Sequence, residues 1–410
     1  MNRRDFVGSM ATGAATLAFA PKKLFAASDR IRYGIIGVGS RGMQDLKDAI
    51  ECPNTECVAV ADIYSRNRDA AKALVPNATF YDDPRHLLDR KDVDAVIIAT
   101  PLFLHAKHMQ MVLAAGKDVY CEKTMTWNVA EAKACLQAAN ASSQVVQIGV
   151  QHQSEGGHKD VVEWIKQGLP GKITMVEAWM SRNSAHGSPQ WRRPIPSDCD
   201  PQHVNYSLFL DDRPKEAFNA EHFINWRLYW EFSGGNVTEN MVHQIAWIMS
   251  AMNLKEPIAA SMMGGVFSEK DGRQVPDTIS VTLEFPDLIV LWQSTFSNTR
   301  YGLGEHFLGS DGTIEHIAGA TDMVTGKSKS SLIFYPEAIN NPGGTKLVSE
   351  SKGMSHMQNW MDCIRTRSKK TNAPVEIGYL SAVAGHMANL SYRSKKRVTL
   401  QEAMDTHQPY

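Results

Sequence analysis

Residues 37–42 read Gly37-Val38-Gly39-Ser40-Arg41-Gly42, a G-x-G-x-x-G turn suited to holding a diphosphate. The first glycine permits the tight turn, and the second lets a diphosphate approach the backbone. The third lets the next helix lie close to the preceding strand. Ser40 and Arg41 stand where that helix opens and its free N–H groups favour an anion. Asp62 follows Gly42 by 20 residues, where a carboxylate accepts hydrogen bonds from an adenosine ribose. A carboxylate there repels a 2′-phosphate and favours NAD; the nearby charge of Arg66 keeps NADP possible. Far downstream, Glu239 and His243 are four residues apart. On a helix, side chains so spaced share one face about 6 Å apart, within reach of one pocket. H-E-x-x-H, C-x-x-C and zinc-type Cys/His spacings are missing from the sequence, so no metal site is expected.

These groups need elements to position them. A β-rich run at 32–38 leads into the glycine turn, and a helix is expected over 43–51. A strand at 57–61 delivers Asp62, and a nearly continuous apolar strand at 94–100 suits a parallel sheet buried on both faces. Pro101 ends that strand, the next helix runs over 105–115, and short strands follow at 118–121 and 144–150. Alternating strands and helices predict a doubly wound parallel α/β sheet, a Rossmann domain over residues 28–150. Such sheets bind ligands at the carboxyl ends of their strands. Thr100, Pro101, His105 and Gln151 are therefore expected at the cofactor and His152 at the substrate. The rhythm changes beyond 151. Strand-like runs at 173–180, 258–266, 278–285, 289–296, 306–308 and 332–335 come largely without intervening helices. This predicts an α+β domain over 151–345 with an open, mostly antiparallel sheet, followed by a helical segment over 346–410.

With the glycine turn upstream, residues 114–124 (AAGKDVYCEKT) resemble the glucose–fructose oxidoreductase / inositol dehydrogenase family, Gfo/Idh/MocA. In that family an A-G-K-x-V-x-x-E-K-P stretch closes the dinucleotide domain, with its lysine between nicotinamide and substrate hydroxyl. The resemblance gives that role to Lys123 and sets Glu122 at the cofactor. Thr124 replaces the usual proline, so a less rigid turn is expected. Residues 230–247 (WEFSGGNVTENMVHQIAW) match the family's glycine pair and following helix, with its acid and histidine at Glu239 and His243. Glu239 is one methylene longer than the usual Asp, and Ala246 stands where a further Asp is common. The segments at 356–367 and 372–376 look like those that return the family's chain to the first domain, so the likeness runs over roughly 30–400. It implies an NAD-dependent oxidoreductase in which Lys123 and His243 share the proton and Glu239 holds or polarises the imidazole. It also implies a homo-oligomer paired through the second domain's sheet.

Residues 182–235 are rich in Trp, Arg, Pro, Asn and Asp. Aromatic faces beside hydrogen-bonding groups suit a polyhydroxylated, mostly neutral small molecule such as a sugar, and Trp226, Arg227, Trp230 and Asn240 are candidate contacts. His158, His186 and His203 have the polar context of solvated loops. The 43 basic and 44 acidic residues leave a net charge of −1 without a basic run, so a nucleic-acid partner has no electrostatic footprint. Six cysteines without a metal or redox motif read as buried thiols, Cys52 and Cys57 being closest in sequence. Residues 1–27, with Arg3-Arg4 before a weakly apolar small-residue run, read as a twin-arginine export signal. That predicts a periplasmic or otherwise exported protein, with no stable membrane span once the signal is removed. An exported enzyme cannot readily exchange NAD and should hold it tightly. Three functions stay open: an NAD(P)-dependent oxidoreductase acting on a secondary hydroxyl of a sugar, an NAD-dependent glycosidase working by transient oxidation and elimination, and a non-catalytic cofactor-binding protein.

Overall fold

The computed structural model describes residues 30–321, 326 and 328–406. Residues 1–27, read as an export signal, lie outside the described residues.

Six parallel strands form the first sheet: β1 (Ile31–Ile36), β2 (Thr55–Ala61), β3 (Thr79–Tyr81), β4 (Ala95–Ile98), β5 (Asp118–Glu122) and β6 (Val146–Gly149). Their order is β3-β2-β1-β4-β5-β6, the doubly wound Rossmann order whose ligand crevice opens between β1 and β4. Every residue of β4 is buried, as its unbroken apolar run requires. Gly37 takes a φ of +86°, which favours glycine. A Cβ on Gly42 would sit 1.9 Å from the Gly37 carbonyl oxygen, so only glycine lets the helix Ser40–Ile50 pack here. Three-residue β3 is too short and too exposed to carry a hydrophobic pattern.

The second sheet has nine strands: β7 (Ile173–Ser181), β8 (Ala259–Gly265), β9 (Thr278–Glu284), β10 (Ile289–Thr295), β11 (Leu303–Gly309), β12 (Gly312–Thr321), β13 (Ser328–Pro336), β14 (Leu347–Val348) and β15 (Val398–Thr399). Their order is β14-β13-β12-β11-β7-β10-β9-β8-β15, and only β7 and β10 run parallel. Sequence reasoning missed β12, whose GTIEHIAGAT lacks a continuous apolar face, and two strands of two residues each. Val176, Ala178, Val281 and Trp292 are buried on one face. On the other, Trp179, Leu291, Met263 and Ile317 line an open groove.

The chain's return joins both halves. Helix His356–Thr366 buries Met357, Trp360 and Met361 with Tyr33 and Tyr120 of the first domain. Helix Val375–Ser394 then packs against both domains, and β15 pairs with β8. The segment therefore belongs to the second sheet as well as to the first domain. His158 also departs from expectation. It lies on helix Gly156–Lys166 with Nε2 2.7 Å from Ser250 Oγ, and burial lowers its pKa to about 4. A histidine on the inner face of an amphipathic helix is packed, not solvated. His186 is exposed, and His203 is exposed with Nδ1 2.9 Å from Asp200. All six cysteines are buried free thiols. No helix among the described residues is long and apolar enough to cross a membrane.

Candidate active site

A cleft runs from the glycine turn to the second domain. Gly37, Gly39, Ser40, Arg41, Asp62, Arg66, Thr100, Pro101, His105, Glu122 and Lys123 line it on the first-domain side. Trp226, Arg227 and Glu239 line it from the other. Gly42 and Gln151 do not; Gly42 supports the turn from behind, and Gln151 donates to Glu122 Oε1 at 2.6 Å.

Asp62 braces the turn. Its Oδ2 accepts from the Val38 N–H at 2.8 Å, its Oδ1 from the Tyr64 N–H at 2.8 Å, and Asn67 Nδ2 reaches both oxygens. Burial raises its pKa, with those donors pulling the other way. Asn67 was not anticipated, since no motif flags it. Arg66 is spoken for by Asp198, 3.1 Å away, so its charge is less free for a 2′-phosphate than the sequence suggested. Arg41 pairs with Asp45 at 2.6 Å and Glu122 at 3.0 Å.

At the far end, β5 delivers Lys123. The turn after it is not loose, as Thr124 had suggested. Thr124 is buried, its hydroxyl donates to the Thr238 carbonyl at 2.5 Å, and its own carbonyl lies 2.8 Å from His105 Nδ1. A hydroxyl anchor does the work expected of the proline ring. His105 Nε2 lies 2.7 Å from the Thr100 carbonyl, so the ring braces the end of β4 against the lysine turn.

Lys123 Nζ lies 3.2 Å from Glu239 Oε2, and Arg227 Nε meets the same oxygen at 3.1 Å. Burial alone would raise the Glu239 pKa. Lys123 and Arg227 outweigh it and hold the carboxyl down at about 2. The expected bond from Glu239 to His243 is not formed. Residues Val237–Met241 make a π-helical turn before the α-helix Val242–Ala251, which shifts the side-chain register and turns the carboxylate to the lysine. His243, expected in the same pocket, is not among the residues that line the cleft; it is partly exposed, with Nδ1 buried and unpartnered, which leaves Nε2 as its accessible nitrogen. Burial, then the charges of Lys123, His152, Arg41 and Arg182, push its pKa well down, so the imidazole is neutral.

Three proposed substrate contacts stand away from the cleft lining. His152 lies behind it, ring centroid 5.4 Å from that of His243 and Nδ1 2.7 Å from Glu155 Oε1. Trp230 is buried against Tyr392 and donates to the Gln274 carbonyl. Asn240 donates to Asn236 Oδ1 at 2.6 Å inside the second domain. Most aromatics of the 182–235 stretch form a satellite core, Tyr206, Phe209 and Phe232 among them. Trp226 remains at the cleft with the Arg227 guanidinium 4.2 Å from its ring centre.

The cleft fits a dinucleotide. A Cβ on Gly39 would meet nothing within 4 Å, so the turn leaves open the space a diphosphate needs. Residues 31–150 match the family model "Oxidoreductase family, NAD-binding Rossmann fold", GFO_IDH_MocA. Residues 211–400 match its companion, "Oxidoreductase family, C-terminal alpha/beta domain". The chain belongs to this family. Its first domain is an NAD-binding Rossmann domain.

Inositol 2-dehydrogenase of Gluconacetobacter diazotrophicus is 32% identical over 157 residues, 38% of this chain and 46% of that protein. The chain spans about half the length of the first curated relatives it matches. A glycosyl hydrolase family 109 protein of Stenotrophomonas maltophilia is 26% identical over 349 residues, 76% of this chain and 73% of that one. Among solved structures, scyllo-inositol dehydrogenase of Lactobacillus casei, with bound NAD(H) and scyllo-inositol, superposes with a TM-score of 0.67 at 16% identity. It covers 91% of this chain and 99% of that one. That likeness is one of fold.

Proposed function

We propose that this oxidoreductase uses tightly held NAD to oxidise a secondary hydroxyl of a sugar or related polyol. The observation that carries the reading is the Lys123–Glu239 pair at 3.2 Å in the dinucleotide cleft, with a neutral His243 close enough for the lysine's charge to lower its pKa. When bound, NAD supplies the two-electron acceptor. Lys123, oriented by Glu239, donates to the substrate oxygen and polarises it. Nε2 of His243 takes the hydroxyl proton, because an imidazole kept neutral can accept one. The Asp62 carboxylate at the ribose end favours NAD over NADP, whose 2′-phosphate it repels. The twin-arginine reading of residues 1–27 supports an exported, periplasmic enzyme, and the open face of the second sheet supports a homo-oligomer.

A panel of aldoses and polyols, myo-inositol and scyllo-inositol included, tests the reaction through the absorbance of reduced nicotinamide. In Lys123→Met, turnover should fall about 10²–10⁴-fold while NADH still binds. Full turnover in that variant removes Lys123 from the chemistry. The glycosidase reading draws support from the 26% identical family 109 relative, matched over most of both chains. Aglycone released from aryl glycosides without net reduction of NAD would favour it.

A further inference from the structure

Residues 191–206 leave the second domain, cross the mouth of the cleft and fasten to the first domain on both sides of the nucleotide site. At one end the Arg193 guanidinium donates to Ser40 Oγ, on the residue that opens the helix after the glycine turn. At the other, Asp198 accepts from the Tyr64 hydroxyl at 2.6 Å and pairs with Arg66 at 3.1 Å, next to the Asp62 carboxylate. Further along, the Ser65 N–H donates to the His203 carbonyl, the Asn205 N–H to the Ile63 carbonyl, and Tyr64 bridges to Val204.

Arg193 is positioned deliberately. Its backbone N–H donates to Asn225 Oδ1 at 2.8 Å, and Asn225 Nδ2 returns a bond to its carbonyl at 3.2 Å. Asn225 itself is 1% exposed. The neighbouring Arg192 is tied to Glu221 at 2.9 Å and Asp271 at 3.1 Å. Arg193, by contrast, forms no ion pair among the described residues; burial and the charge of Arg227 lower its pKa, and Glu239 acts on it in the opposite sense. An exposed guanidinium that lines the cleft, its backbone held by a buried asparagine, sits at a helix N-terminus beside an open glycine turn, where a charged donor suits an anion.

We infer that Arg193 binds the diphosphate of the dinucleotide and that segment 191–206 is a strap that closes over the bound cofactor. The cation and the adjoining helix N-terminus then hold the diphosphate together. Residues Cys199, Val204 and Tyr206 keep the far end of the strap packed with Tyr64 and Leu102 of the first domain, so opening falls to its Arg193–Ser40 and Asp198–Arg66 ties. This inference rests on the NAD site and not on the reaction, so its test involves no substrate.

The full-length protein, stripped of nucleotide, is titrated with NADH by fluorescence, and NADH is then chased with excess NAD to give the dissociation rate. Arg193→Gln should weaken NADH binding about ten- to a hundredfold, the range for a lost hydrogen-bonded charge contact. Its dissociation should quicken by a similar factor, and Arg193→Lys should recover part of the loss. Adenosine, which carries no diphosphate, should bind Arg193→Gln and the parent alike. Asp198→Asn, which weakens the tie at the other end, should also speed NADH release. NADH affinity within twofold of the parent in a normally melting Arg193→Gln protein, or equal loss of adenosine and NADH affinity, overturns the inference.

Discussion

At the scale of single residues the site turns on one oxygen, Glu239 Oε2, shared by Lys123 and Arg227. Replacing Glu239 by Gln leaves two cations facing each other in a largely buried place, and a broken buried pair costs about 3–5 kcal/mol. The loss should appear in denaturant unfolding, and its pH dependence has a definite sign. The folded carboxyl titrates at about 2, below its ordinary 4.5, so its contribution is complete above about pH 4.5. It fades as the pH falls through 2, and the parent and Glu239→Gln should converge in acid. His243 runs the other way. Its folded pKa lies below 6.5, so the unfolded chain binds the proton first and stability drops as the pH falls below that value. His243→Asn should flatten that part of the stability profile. Lys123 and Glu239 were legible in the sequence as residues of one cleft, because residue type and order survive any backbone detail. Their pairing was not. An i, i+4 spacing assumes an α-helix, and nothing in VTENM announces a π turn.

At the scale of elements, the glycine turn separates folding from binding. A Cβ on Gly42 collides with the Gly37 carbonyl, whereas one on Gly39 points into empty space. Gly42→Ala should therefore destabilise the domain by about 1–3 kcal/mol, the usual cost of overpacking. Gly39→Ala should melt as the parent does yet bind NADH poorly in the same titration. The Rossmann strands other than β3 were readable because buried parallel strands are continuous apolar runs and the glycines mark the turn between strand and helix; three-residue β3 was missed. β12, β14 and β15 were hidden, two by their brevity and one by its mixed composition. The aromatic stretch misled for a related reason. Aromatic residues pack loops as readily as they line pockets, and here Phe209 and Phe232 close a core beneath the strap while Trp226 alone of the proposed aromatic contacts reaches the cleft.

At the scale of the whole molecule, the nine-stranded sheet covers one face with helices and leaves the other open. Met263, Phe267 and Tyr301 on the open side are 76%, 70% and 64% exposed. Light scattering after size exclusion should give an oligomer, and Met263→Lys with Phe267→Glu should reduce its mass toward that of a single chain, as charge on an apolar contact face does. The helix Val375–Ser394 has a quieter effect. His386 Nε2 lies 3.2 Å from Thr126 Oγ1, just past the lysine turn, and Asn389 Nδ2 donates to the Gly234 carbonyl, just before the π turn. Three residues of helix rise about 4.5 Å. The helix thus touches both turns that carry the ammonium and the carboxylate, and it belongs to neither, like a caliper laid beside the direct Thr124–Thr238 tie. A substitution at either notch, remote from any ligand, would reset the instrument.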